Sequence, residues 1–137
     1  MNTQKILIAA VAGAATLFAT GYVIYILIFG DSTIGMEQAA EGVFSGTFNF
    51  SGIIVMELLY GLLLSVTLNW KHTNGFSSGL IPGGLIGALV GATIGLDYFS
   101  TTDLVNFNWV IFEGITYLVR FSLAGGVIAL FYSKRSE

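Results

Sequence analysis

The sequence predicts an all-α fold: a polytopic membrane protein built as a four-helix transmembrane bundle, with a short interfacial helix on its outer side. Three observations predict it. Hydrophobic residues make up 55% of the 137-residue chain and charged residues only 9%, whereas a soluble domain carries about a quarter charged residues. Four apolar stretches reach or approach the ~20 residues that a helix needs to cross a ~30 Å hydrocarbon layer. The few basic residues fall on alternate connections, as a membrane topology requires. A mean hydropathy of +0.83 agrees. The chain reads as one transmembrane domain, 1–137, with spans of about 6–29, 50–69, 79–97 and 109–132.

The first span carries no charge from Ile6 to Phe29. Its apolar run is longer than the 7–15 residues of a signal-peptide core, and no small-x-small site follows, so it reads as a retained helix. The connection after it, Gly30 to Asn49, is the longest. Met36, Ala39, Ala40, Val43 and Phe44 are spaced as one helical face there, with Glu37, Gln38 and Glu41 on the other. That pattern predicts the interfacial helix, capped by Ser32 or Thr33 and ended near Gly46. Asn74-Gly75, between the second and third spans, is a turn signal. His72 beside it reads as a solvated loop residue.

The third span holds Gly79, Gly83, Gly87, Gly91 and Gly95, one glycine every four residues. This small-xxx-small ladder predicts a helix face that another backbone approaches closely. Two kinds of partner satisfy such a glycine zipper. One is a helix of the same chain: the first offers Ala9, Ala10, Gly13 and Ala14, and the fourth Ser122, Gly125, Gly126 and Ala129. The other is a homo-oligomer or larger membrane complex. Pro82 is expected in the first turn of this helix, where a missing N–H costs little.

The chemically informative residues are Glu57 in the second span and Glu113 and Arg120 in the fourth. Charges within a span are expensive and face the bundle or a wet cavity. At 1.5 Å per residue, Glu57 lies about 8 Å, Glu113 about 6 Å and Arg120 about 16 Å from the outer surface. The arginine is expected to point outward along its helix and to pair with Glu57 or Glu113. Glu57, from another helix, is the better placed. Such a cluster serves either as an ion pair that docks helices or as a proton, ion or small-anion site.

Topology follows from Lys5, Lys71, Lys134 and Arg135, which fall on one side if four helices alternate. The other side holds Asp31, Glu37, Glu41, Asp97 and Asp103. Lys and Arg mark the inner side, so both termini are expected to be cytoplasmic, in a cell inner membrane. Trp70, Trp109, Tyr98 and Tyr132 fall near span ends, as an aromatic belt does.

The order of these features resembles a family of small bacterial four-helix integral membrane proteins to which no activity is assigned. Members have a basic start like Lys5-Ile6-Leu7-Ile8 and a Gly-Tyr pair like Gly21-Tyr22, with Tyr25 following. A second helix ends in a run like Gly61-Leu62-Leu63-Leu64, and a glycine-laddered third helix ends near an acid such as Asp97. The resemblance spans nearly the whole chain and implies the same fold. Separately, Phe99-Ser100-Thr101-Thr102 is similar to the Phe-Ser-Thr break of small four-helix fluoride channels. Those channels also carry an arginine in the first helix and an asparagine in the second; here the first span has no arginine, and the second has no asparagine between Gly52 and Leu68.

The sequence excludes several classes of chemistry. With no cysteine and one histidine, it has no thiol nucleophile, disulfide, thiolate metal site or His-rich metal site. No basic run marks a nucleic-acid partner, and no nucleophile–base set or phosphate loop marks an enzyme. The expected role is that of a small membrane protein of accessory, assembly or structural type, with no cofactor and no metal. The alternative is a small transporter or channel that uses Glu57, Glu113 and Arg120.

Overall fold

The computed structural model describes residues 2–43 and 47–133. Lys134 and Arg135, used above for topology, and Phe44 and Gly46, used for the interfacial helix, lie outside the described residues. The described chain is a four-helix bundle: α1 (Thr3–Tyr22), α2 (Phe50–Trp70), α3 (Phe76–Thr101) and α4 (Phe107–Tyr132). All four helices are long and apolar enough to cross a membrane. The chain is thus a multi-pass helical membrane protein. Lys5 and Lys71 lie at one end of the bundle, the basic end. Asp31, Glu37, Glu41 and Asp103 lie at the other, the acidic end.

Asparagine starts three of the helices. The side chains of Asn2, Asn49 and Asn106 accept from the backbone N–H groups of Lys5, Gly52 and Asn108, which satisfies one orphan donor at each helix start. α3 starts differently, at Gly75, whose φ of +85° only glycine adopts without strain. The Ser78 hydroxyl donates to Gly75 O and accepts from Asn74 N, both at 2.8 Å. These bonds start the helix at Phe76, earlier than the expected span. Pro82 therefore lies inside α3, beyond its first turn, contrary to the sequence expectation. At the far end, Phe99, Ser100 and Thr101 form the last turn of α3 and not a break within the membrane.

α1 continues without interruption into a π-helical stretch, Val23–Ile28, closed by Phe29 N donating to Ile24 O at 3.0 Å. Of the interfacial helix, the described residues keep one 3-10 turn, Gln38–Ala40. Two features stop a longer helix. Gly42 adopts a φ of +75°. Glu37 N is drawn away to Leu104 O, and Asn106 N donates to Gly35 O, so Met36 pairs with Val105 in an antiparallel bridge. The Asn106 side chain also donates to Glu37 Oε1 at 2.7 Å. The two connections at the acidic end are thereby stitched across the start of α4.

Helix pairing follows the small residues. All five ladder glycines of α3 are buried, and their partner is α4 of the same chain. A Cβ at Gly79 would collide with Gly125 O, one at Gly83 with Phe121 O, one at Gly87 with Tyr117 O, and one at Gly95 with the Val110 backbone. Backbone meets backbone along the whole span, which is how helices gain contact energy in lipid. α3 packs on α4 along its length and only slightly on α2. α1 and α2 pair through Gly61, where a Cβ would strike the Ala10 and Ala14 backbone. The two pairs enclose a core of Ala9, Leu17, Leu64, Leu68, Tyr117, Phe121, Ala124 and Ile128.

Four threonine hydroxyls within the spans are satisfied by their own helix. Thr16, Thr20, Thr67 and Thr93 each donate to the carbonyl four residues earlier, so none presents a bare donor to lipid. Buried Ser65 donates to Ile6 O at 2.7 Å, and Tyr132 OH donates to Ser65 O at 3.0 Å. That knot joins α1, α2 and α4 at the basic end. Ser122 donates to Leu80 O and joins α4 to α3.

Candidate functional site

The acidic half of the bundle holds the charged residues. Arg120 projects from α4 and is 1% exposed, the least of any charged side chain described, with Glu57 at 4% and Glu113 at 5%. The structure brings Arg120 and Glu57 together: Arg120 Nη2 donates to Glu57 Oε1 in a short ion pair. The same nitrogen donates to Leu17 O of α1 at 3.0 Å. One guanidinium group therefore holds α4 against both α1 and α2. The approach is possible because Gly21 lies one turn further along α1. A Cβ there would stand 2.9 Å from Nη2 and 3.2 Å from Cζ. Two tyrosine rings complete the setting, with Arg120 Cζ 5.2 Å from the Tyr117 ring centre and 5.6 Å from that of Tyr25. Both fall within cation–π range.

Glu113 has a different partner. Its carboxylate accepts from the Tyr25 phenol, at 3.2 Å and 3.3 Å from the two oxygens. Tyr25 sits in the π-helical stretch, whose wider turn re-aims side chains relative to a regular helix. Its ring packs edge-on to Phe112 at 6.1 Å, as Phe29 does at 5.2 Å. Sequence reasoning found the three charges but not Tyr25 or Tyr117 as their partners, nor the carbonyl of Leu17. The available signal was the β-branched run Val23, Ile24, Ile26, Ile28 around Tyr25. Such residues pack poorly against the preceding turn of an α-helix.

The three charged residues line one cavity of about 410 Å³ between α1, the π-helical stretch, α2 and α4. Its remaining walls are apolar or aromatic, and exposed Phe48 and Phe50 border it at the acidic end. Two buried polar atoms of these residues have no hydrogen-bond partner, Glu57 Oε2 and Arg120 Nε. Toward the basic end the space between helices is filled by fully buried Leu17, Leu64, Leu68, Phe121 and Ile128. No family model, characterised protein or solved structure matches this chain.

Proposed function

We propose that the chain is a small membrane protein of accessory or structural type, without catalytic chemistry, lying in a cell inner membrane with both termini cytoplasmic. The observation that carries this reading is the Arg120 clamp. A guanidinium group bound to Glu57 and to Leu17 O joins α4 to α1 and α2, and in this reading the buried pair serves to specify how these helices dock. Among the described residues, the clamp is backed toward the basic end by an apolar layer of Leu17, Leu64, Leu68, Phe121 and Ile128, which separates it from the hydrogen-bonded Ser65 and Tyr132. Lipid surrounds the bundle. An accessory role then acts on a larger membrane complex through the exposed aliphatic faces, since the glycine ladder is spent on α4.

The cavity favours a second reading, a small transporter built on Glu57, Glu113 and Arg120. Flux measurements on sealed proteoliposomes separate the two. The accessory reading expects proton, potassium, chloride and fluoride fluxes equal to those of empty liposomes. A protein-dependent flux that Glu113→Gln removes would replace it with the transporter. Orientation has its own test. A reporter active only in the cytoplasm should work when fused to the C-terminus, and a working periplasm-only reporter there would refute the topology.

A further inference from the structure

We infer that the cavity at the acidic end is a binding site for an organic ammonium ion, an amine carried on an apolar or aromatic body. The inference does not rest on the accessory reading, because binding and flux are separate measurements.

The argument begins with charge. Among the described residues, Arg120 is the only buried base within the four spans, Lys5 being exposed in the first turn of α1, and it faces two carboxylates. Its Nη2 is engaged by Glu57 Oε1 and Leu17 O. Glu113 is held only by the Tyr25 phenol, which carries no charge to offset it. With both carboxylates ionised, the group of three has a formal charge of −1 in a low-dielectric surround. An isolated buried charge is costly, and a counter-charge relieves that cost.

Hydrogen-bonding capacity points the same way. Acceptors are in excess: Glu57 Oε2 has no partner, and the Glu113 carboxylate shares one phenol between two oxygens. Against them stand the N–H groups of Arg120 Nε, which is buried without a partner, and of Nη1, since both hydrogen bonds of the guanidinium group use Nη2. These three donors are fewer than the open acceptor sites of two carboxylates, about four each. A primary ammonium brings three donors and a positive charge. An anion would bring more acceptors and meet two carboxylates.

The walls supply the rest. Phe18, Tyr22, Tyr25, Phe48, Phe50 and Tyr117 all line the space, and aromatic faces attract organic cations. A volume of about 410 Å³ falls within the ~300–1,000 Å³ range of small-molecule sites. Apolar walls with a few converging polar groups are the usual composition of such sites. The ammonium has two sources, a freely diffusing amine or the headgroup of an aminophospholipid.

The test uses three probes with one body: 4-phenylbutylammonium, 4-phenylbutanol and 4-phenylbutyrate. Each is measured by equilibrium dialysis against the full chain in phosphatidylglycerol nanodiscs, with empty nanodiscs subtracted. The ammonium should bind saturably, one per chain. The alcohol should bind at least about tenfold more weakly, and the carboxylate should show no saturable binding. Glu113→Gln should weaken the ammonium at least about tenfold. Met56→Trp, which fills the cavity and leaves the charges in place, should weaken it comparably and decides the matter if the first variant does not fold. Repeating the measurement with phosphatidylethanolamine in the nanodiscs separates the sources. Loss of probe binding there identifies a lipid headgroup as the occupant, and unchanged binding identifies a free amine. Equal affinity for the three probes, or ammonium binding that survives Met56→Trp, would overturn the site.

Discussion

Gly21 lies against the Arg120 guanidinium so closely that a methyl group at its Cα would stand 2.9 Å from Nη2. The absence of a side chain on α1 thus determines where a charge on α4 sits. Gly21→Ala should push the guanidinium away from Leu17 O and Glu57 and cost about 1–3 kcal/mol, the usual range for overpacking a filled site. Unfolding in mild detergent measures it. In an Arg120→Met background the same substitution should cost clearly less, because the group it displaces is gone. Equal costs in both backgrounds would show that Gly21 and Arg120 do not interact.

Removing one member of the ion pair should harm the fold more than removing both. Arg120→Met leaves Glu57 buried without its counter-charge, and breaking a buried pair in this way costs about 3–5 kcal/mol. The combined Arg120→Met, Glu57→Leu variant should recover part of that loss. Detergent melting curves of the single and double variants complete the cycle. A double variant no more stable than Arg120→Met alone would mean that the pair is not what fixes the docking.

The glycines of α3 should tolerate substitution according to what faces them. Gly87→Leu would drive a side chain into Tyr117 O and the Phe121 ring, prising α3 from α4 and destabilising the bundle by at least about 1–3 kcal/mol. Gly114 on α4 is the contrast, since a Cβ there would meet only Ala92, at 4.0 Å. Gly114→Ala should leave the melting temperature unchanged or raise it slightly, alanine being the better helix former. An unchanged melting temperature for Gly87→Leu would contradict the packing of the ladder on α4.

The helices and the charges were legible in the sequence, because both are governed by the energy of placing groups in lipid. An uninterrupted run such as Ile6 to Phe29 has one low-energy arrangement, and Arg120 has few places to go except toward a carboxylate. The rest depended on details below the resolution of hydropathy. Pro82 was misplaced because the Asn74–Ser78 hydrogen bonds begin α3 early. The face predicted for 36–44 was not realised as a helix in the described residues, because Glu37 and Met36 find backbone partners in 104–106, and such pairing leaves no local trace. The ladder announced close packing, but its partner was settled by the fit of Gly125, Phe121 and Tyr117 to it. Tyr25 escaped notice because its role depends on a change of helical pitch.

The restriction of α3 to the surface of α4 bears on the order in which the protein is built. α1 with α2, and α3 with α4, are neighbours in sequence, and each is sealed by its own small residues. Each can therefore enter the bilayer as a finished hairpin. Arg120 belongs to the second hairpin, while Glu57 and Leu17 O belong to the first. Until the hairpins meet, the second carries an arginine and the first a carboxylate at membrane depth, each penalised while alone. Their encounter removes both penalties at once. The ion pair thus makes insertion of either half productive only when the other is present, and unassembled halves are left marked by an exposed intramembrane charge.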